Sequence, residues 1–270
     1  MAVVVSLLRA AALCTGLAVI ALPAMAVDNW VEGSFDVGGH SLYARCIGKG
    51  APTIVYLHGD NGNADSSSEV PRLIAPTHRI CVYSRANTYG SDKVPGPITG
   101  AMIVADLHNL LAALDEPPPY VLLGASLGGL VAYQYLKAYP DEVAAMLLLD
   151  AAFPDELGLE HFFPEGDRLT HEEWKKSPEQ LDYLGLYEST AALRGNEPKI
   201  PVTYLLADPS TWTGVSPEYD AVIMETLNAY VASFSPGVIK TVRSEHWMEH
   251  GNAEAVAKEL EALIASLPKQ

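Results

Sequence analysis

The stretch that most constrains this chain is Val121–Leu130, VLLGASLGGL. An apolar run stops at Gly124, a serine follows at Ser126, and Gly128 and Gly129 open a predicted helix over Leu130–Tyr139. G-x-S-x-G between a strand and a helix requires a turn too sharp for ordinary side chains. Glycine at 124 and 128 leaves room there, and the strained turn lifts the serine oxygen clear of the backbone. The N–H of Leu127, where the helix begins, can then face negative charge developing on an attacked carbonyl. Ser126 is the candidate nucleophile.

The rest of the chain supplies a sheet for that turn. Ser34–Val37 and His40–Ile47 read as a hairpin turning at Gly38-Gly39, with His40 facing solvent. Thr53–Leu57, Arg79–Ser84, Ala144–Leu149, Pro201–Ala207 and Val238–Val242 are short apolar runs of the kind covered on both faces. Helical periods at Thr99–Leu114, Glu218–Val231 and Ala253–Ile264 fall among them. Such alternation predicts a parallel sheet with right-handed crossovers. At 270 residues and 49% hydrophobic content, the chain can bury one sizeable core.

Five elements give the chain a resemblance: Arg45–Gly50, Pro52–Gly59, Tyr83–Asp92, Gly124–Ala132 and Leu147–Asp155. Together they resemble the α/β-hydrolase superfamily, and within it the secreted bacterial serine hydrolases. The likeness runs from about Trp30 to the C-terminus. It implies a mostly parallel eight-stranded sheet with helices on both faces and a short helical lid between strands 6 and 7. Residues 151–200, with 11 acidic and 5 basic side chains and six aromatics, are that lid. Its aromatics either line a pocket or pack the lid on the core. The resemblance also implies that strand 2 neighbours strand 4, which pairs Cys46 with Cys81 as a disulfide. The chain departs from the pattern at Ser84, where an aspartate is usual, and near Asn87 and Tyr89, where glycines are usual.

A serine hydroxyl needs a base, and the base needs a carboxylate to hold its tautomer. In this superfamily the chain order is serine, acid, histidine. His246, between the last strand and the last helix, stands where that histidine belongs, and His250 is its rival. For the acid, Asp150 ends strand 6 and Asp208 ends strand 7; we take Asp150 and keep Asp208 as the alternative. The resemblance gives the second oxyanion N–H to Asp60, with His58 structural. Because a carboxylate is unwelcome there, either Asp60 points away or Asn61 supplies the donor. His246–His250 also spells H-x-x-E-H, an inverted zinc motif, but a strand running up to Ser244 and the nearby Gly251 deny it a regular helix. No metal and no cofactor are expected.

Residues 1–26 read as a secretory signal peptide, with Arg9, an apolar run from Ala10 to Leu22 and Ala24-Met25-Ala26 as the cleavage site. Cys14 is a passenger in it. Losing Arg9 from the 17 basic side chains leaves 16 against 33 acidic ones. That excess excludes nucleic acid and anionic membranes as expected partners, since phosphates call for Lys and Arg patches. The expected activity is hydrolysis of a small-molecule carboxylic ester by a secreted or periplasmic protein, with 27–270 as the hydrolase domain. A peptidase or amidase of the same fold and a non-catalytic binding protein on the same scaffold are the alternatives.

Overall fold

A computed structural model describes residues 29–65, 69–208 and 216–268. The expected signal peptide lies outside these residues. Eight strands form one sheet: β1 Val31–Asp36, β2 Ser41–Ile47, β3 Ile54–Leu57, β4 Ile80–Tyr83, β5 Tyr120–Ala125, β6 Val143–Leu149, β7 Val202–Ala207 and β8 Gly237–Val242. Their order is β1-β2-β4-β3-β5-β6-β7-β8. Only β2 runs against the others.

Strand alternation sorts the side chains between two faces. Val55, Leu57, Leu122, Met146, Leu148, Tyr204 and Leu206 point into one core, under helices α2 (Gly100–Ala113), α3 (Gly128–Ala138) and α5 (Pro217–Ala232). Ile54, Tyr56, Val121, Leu123, Leu147 and Leu205 point into the other, under α1 (Val70–Ile74) and α7 (Ala253–Ala265). With both faces covered, β3, β4, β5 and β7 are buried along their whole length and β6 at all but Ala144, which is why they read as apolar runs. Among the described residues, no helix is long and apolar enough to cross a membrane.

Several expectations shift. The first strand is Val31–Asp36: it starts three residues before Ser34 because Val31, Glu32 and Gly33 pair with Cys46, Arg45 and Ala44 of β2, and it ends at Asp36, which accepts from the Gly38 and Gly39 N–H groups. His40 does not face solvent freely; its Nε2 lies 3.0 Å from Asp106 on α2, and both side chains are largely covered. Helix α3 starts at Gly128, two residues earlier than its apolar period shows, because glycines carry no periodicity. The insertion between β6 and β7 has one α-helix, α4 (Tyr183–Ala191), and otherwise 3₁₀ turns at Pro154–Phe162, Glu165–Asp167 and Glu173–Lys175. Asn87 stands where the family pattern has glycine, with φ at +70°. Asparagine tolerates that left-handed backbone, and its side chain bonds the Val94 N–H and the Glu179 carbonyl. At the other departure, Ser84 is fully buried and accepts the Ala64 N–H.

Cys46 and Cys81 face each other in the β2–β4 register and are joined as a disulfide, both buried. The bond closes a sequence separation of 35 residues. In the chain-entropy account that constrains the unfolded chain by about 4 kcal/mol. Cys46→Ala/Cys81→Ala is therefore expected to lower unfolding stability by roughly 3–4 kcal/mol in urea titration. An unchanged midpoint and slope would show that the two thiols stay unpaired in the protein.

Candidate active site

The carboxyl ends of parallel strands form a crevice at one edge of the sheet, the usual place for ligands in such folds. Here β3 delivers His58–Asp60, β5 delivers Ser126, β6 delivers Asp150, and the loop after β8 delivers His246. Ser126 sits in the left-handed region, at φ +50°. A Cβ on Gly128 would fall 2.0 Å from the Leu57 carbonyl oxygen, and one on Gly129 2.4 Å from that of Ala152. The helix can therefore press against β3 and the β6 loop only with glycine at both places. The Ser126 carbonyl accepts the Gly129 and Ala152 N–H groups at 2.9 Å each, which fixes the turn from both sides.

The expected constellation comes together. Ser126 Oγ lies 3.1 Å from His246 Nε2, and His246 Nδ1 lies 2.7 Å from Asp150 Oδ2. Asp150 is also left-handed, at φ +39°, and its second oxygen accepts the Ala207 N–H at 3.2 Å. That bond ties the carboxylate to β7 and leaves one oxygen for the imidazole. The imidazole is 44% exposed and the carboxylate 15%, so the base is open to a substrate while the acid is shielded. The hydrogen bond to Asp150 raises His246 above the ordinary 6.5, against the lowering effect of partial burial. A hydroxyl so placed can pass its proton to Nε2 while the carboxylate stabilises the resulting imidazolium.

Asp208 is held differently, its N–H donating to the Ser244 carbonyl at 3.2 Å across the β7 and β8 ends. His250 is exposed on the one-turn helix α6 (Met248–Gly251), whereas His246 precedes that helix, so H-x-x-E-H forms no shared helical face. Glu249, between them, is buried and accepts from Tyr56 on β3.

The N–H groups of Leu127 and Asp60 have no hydrogen-bond partner among the described residues. Both remain available to an anionic oxygen. Asn61 does not, since its N–H donates to Glu179 at 2.7 Å. The Asp60 carboxylate is drawn off by Tyr183 of α4, whose hydroxyl donates to it, and by the Asn61 side chain.

Sequence reading missed the groups behind this loop. Arg85, only 3% exposed, forms a bidentate pair with Glu179 of the insertion and donates to the His58 and Gly59 carbonyls at 2.8 Å each. Arg85 lies inside one of the resembling motifs, but nothing in the sequence names a partner 94 residues away. Glu156 was missed too. Burial pushes its carboxyl up to about 8, although the Tyr187 hydroxyl bonds it, and the charges of Asp150 and His246 also act on it. It stands in the wall of a cavity of about 250 Å³ whose other walls include Leu159, Phe163, Tyr187 and Tyr219. The insertion's aromatics thus divide: Phe163 and Tyr187 line a cavity, while Phe153 is buried in the core.

Residues 52–181 match the family described as the alpha/beta hydrolase fold. Over 112 residues the chain is 31% identical to the pimeloyl-[acyl-carrier protein] methyl ester esterase of Pectobacterium carotovorum, covering 40% of each chain. Over 118 residues it is 28% identical to the proline iminopeptidase PfmaB of Pestalotiopsis fici, covering 43% of this chain and 42% of that one. The chain spans less than two-thirds of the length of the first curated relatives it matches, 18%, 55% and 64%. A crystal structure of CarC, a serine hydrolase involved in carbazole degradation, superposes with a TM-score of 0.61 at 13% identity, over 87% of this chain and 99% of that one. The chain has the α/β-hydrolase fold, and residues 52–181 match the family that bears that description.

Proposed function

We propose that the protein is an exported serine hydrolase of carboxylic esters, of the secreted bacterial branch that its motifs resemble. The observation that carries the reading is the unbroken relay from Ser126 Oγ to His246 Nε2, and from His246 Nδ1 to Asp150. In this reading Ser126 attacks the acyl carbonyl as His246 takes its proton. The Leu127 and Asp60 N–H groups hold the oxyanion. The imidazolium then protonates the departing alcohol, leaving an acyl-serine, and water repeats the sequence to release the acid. None of these steps uses a cofactor. Export agrees with the disulfide, which persists in oxidising compartments. We place a small acyl or alcohol group in the cavity of about 250 Å³, which is smaller than most drug-sized sites and whose wall residue Glu156 feels the charges of Asp150 and His246.

A fluorophosphonate probe followed by an ester panel tests this reading. The protein is expected to label at Ser126 and to hydrolyse p-nitrophenyl acetate and butyrate at least tenfold better than the palmitate. Absence of labelling defeats the serine mechanism. Amino-acyl anilides belong in the same panel because one relative is named a proline iminopeptidase. Faster cleavage of these than of the esters reassigns the protein to amide hydrolysis.

A further inference from the structure

The oxyanion N–H of Asp60 belongs to a turn whose own backbone makes one bond there, Gly62 N–H to the Gly59 carbonyl at 3.3 Å. Carbonyl and N–H of one trans peptide point in opposite directions. Fixing the Gly59 oxygen therefore fixes the direction of the Asp60 N–H. That oxygen also accepts from two buried side-chain donors, both nearer: Arg85 Nη2 at 2.8 Å and His58 Nδ1 at 3.0 Å. Burial holds His58 well below its ordinary value, so the ring is neutral and donates from Nδ1. The Gly59 backbone also lies directly against the nucleophile, since a Cβ there would be 3.1 Å from Ser126 Cβ. On the other side, Glu179 fixes the next peptide by accepting the Asn61 N–H while it holds Arg85. Glu179 and Tyr183 both come from the insertion, and Tyr183 keeps the Asp60 carboxylate turned away.

We infer that Arg85 and Glu179 are positioning residues for the oxyanion site, and that the insertion sets the site's geometry through them as well as covering it. The inference rests on the serine-hydrolase reading and goes beyond it. A purely structural ion pair would act on stability. This one acts on the difference between ground-state and transition-state binding, because the Asp60 N–H is needed most when the carbonyl oxygen becomes anionic.

The test uses Arg85→Met/Glu179→Met. Replacing both members of a buried pair by apolar groups of similar size is often neutral for stability, whereas removing one leaves a buried charge. The double variant is expected to keep its thermal transition within a few degrees and its KM within about threefold. Its kcat should fall by about 10²-fold, the effect of losing one oxyanion donor. Affinity for an alkylboronic acid, which forms a tetrahedral anion on the serine, should fall in parallel. Glu179→Gln, which keeps the shape and the acceptor for Asn61, is the second variant, assayed at a temperature where circular dichroism shows it folded. It should lose about tenfold in kcat and in boronate affinity. A folded variant with kcat and boronate affinity within twofold of wild type overturns the inference. Wild-type protein that fluorophosphonate does not label overturns the parent reading instead.

Discussion

Ser126→Ala is expected to fold with the wild-type thermal transition and to lose ester hydrolysis by about 10⁴-fold or more. The size follows from what the hydroxyl does. Without Oγ no acyl-enzyme forms, and His246 can only assist a water that the site was not built to hold. The remaining rate is what binding and the oxyanion N–H groups supply by themselves. The fold should not notice. Alanine keeps the Cβ that serine already carries at φ +50°, and the bonds that fix the turn run through backbone atoms of residue 126. Initial rates on p-nitrophenyl butyrate, with circular dichroism on the same samples, decide it. Near-full activity in a folded variant would remove Ser126 from the mechanism.

Asp150→Asn should come close to the same loss, about 10⁴-fold in turnover. Asparagine can still accept the Ala207 N–H through its oxygen, so β6 and β7 stay joined. What changes is the face shown to His246. An amide nitrogen there favours the imidazole tautomer with its proton on Nε2, the one that cannot accept from Ser126. The charge that stabilises the imidazolium is lost as well. The pH profile carries a second signature. His246 must be neutral to act as base, and its bond to Asp150 holds it above 6.5, so wild-type activity should rise with pH through a limb above that value. In Asp150→Asn the limb should move down. Asp208→Asn should cost at most about tenfold, because His246 Nδ1 is already bound to Asp150. If Asp208→Asn is the crippled variant and Asp150→Asn is not, the acid has been misassigned.

The parts of the fold that were legible in the sequence are those written in local patterns. Strands covered on both faces show as apolar runs, and the nucleophile turn shows as glycines at two fixed offsets around a serine. The order of strands, and hence the Cys46–Cys81 pairing, came through likeness to known proteins. Asp150 and Asp208 each end a strand, so sequence favours Asp150 only slightly and keeps Asp208 as the alternative; what separates them is which carboxylate reaches His246 from another strand. Arg85 and Glu179 were invisible for the same reason on a larger scale. A bidentate pair between residues 94 apart leaves no periodic trace in either segment. The one-turn helix α6 and the 3₁₀ turns of the insertion are too short to show an amphipathic period. His40 read as solvent-facing because Asp106 lies across a hairpin and a helix from it.

Two of the residues proposed to do the chemistry, Ser126 and Asp150, occupy left-handed backbone that side chains with a Cβ adopt at a cost of about 1–2 kcal/mol each. Glycine relieves that cost at either position. Selection for melting temperature and selection for turnover therefore pull in opposite directions at these sites. A library at positions 126 and 150 sorted only on heat resistance enriches glycine and discards the nucleophile and the acid. Any programme that raises the melting temperature of this protein has to screen those two codons by activity.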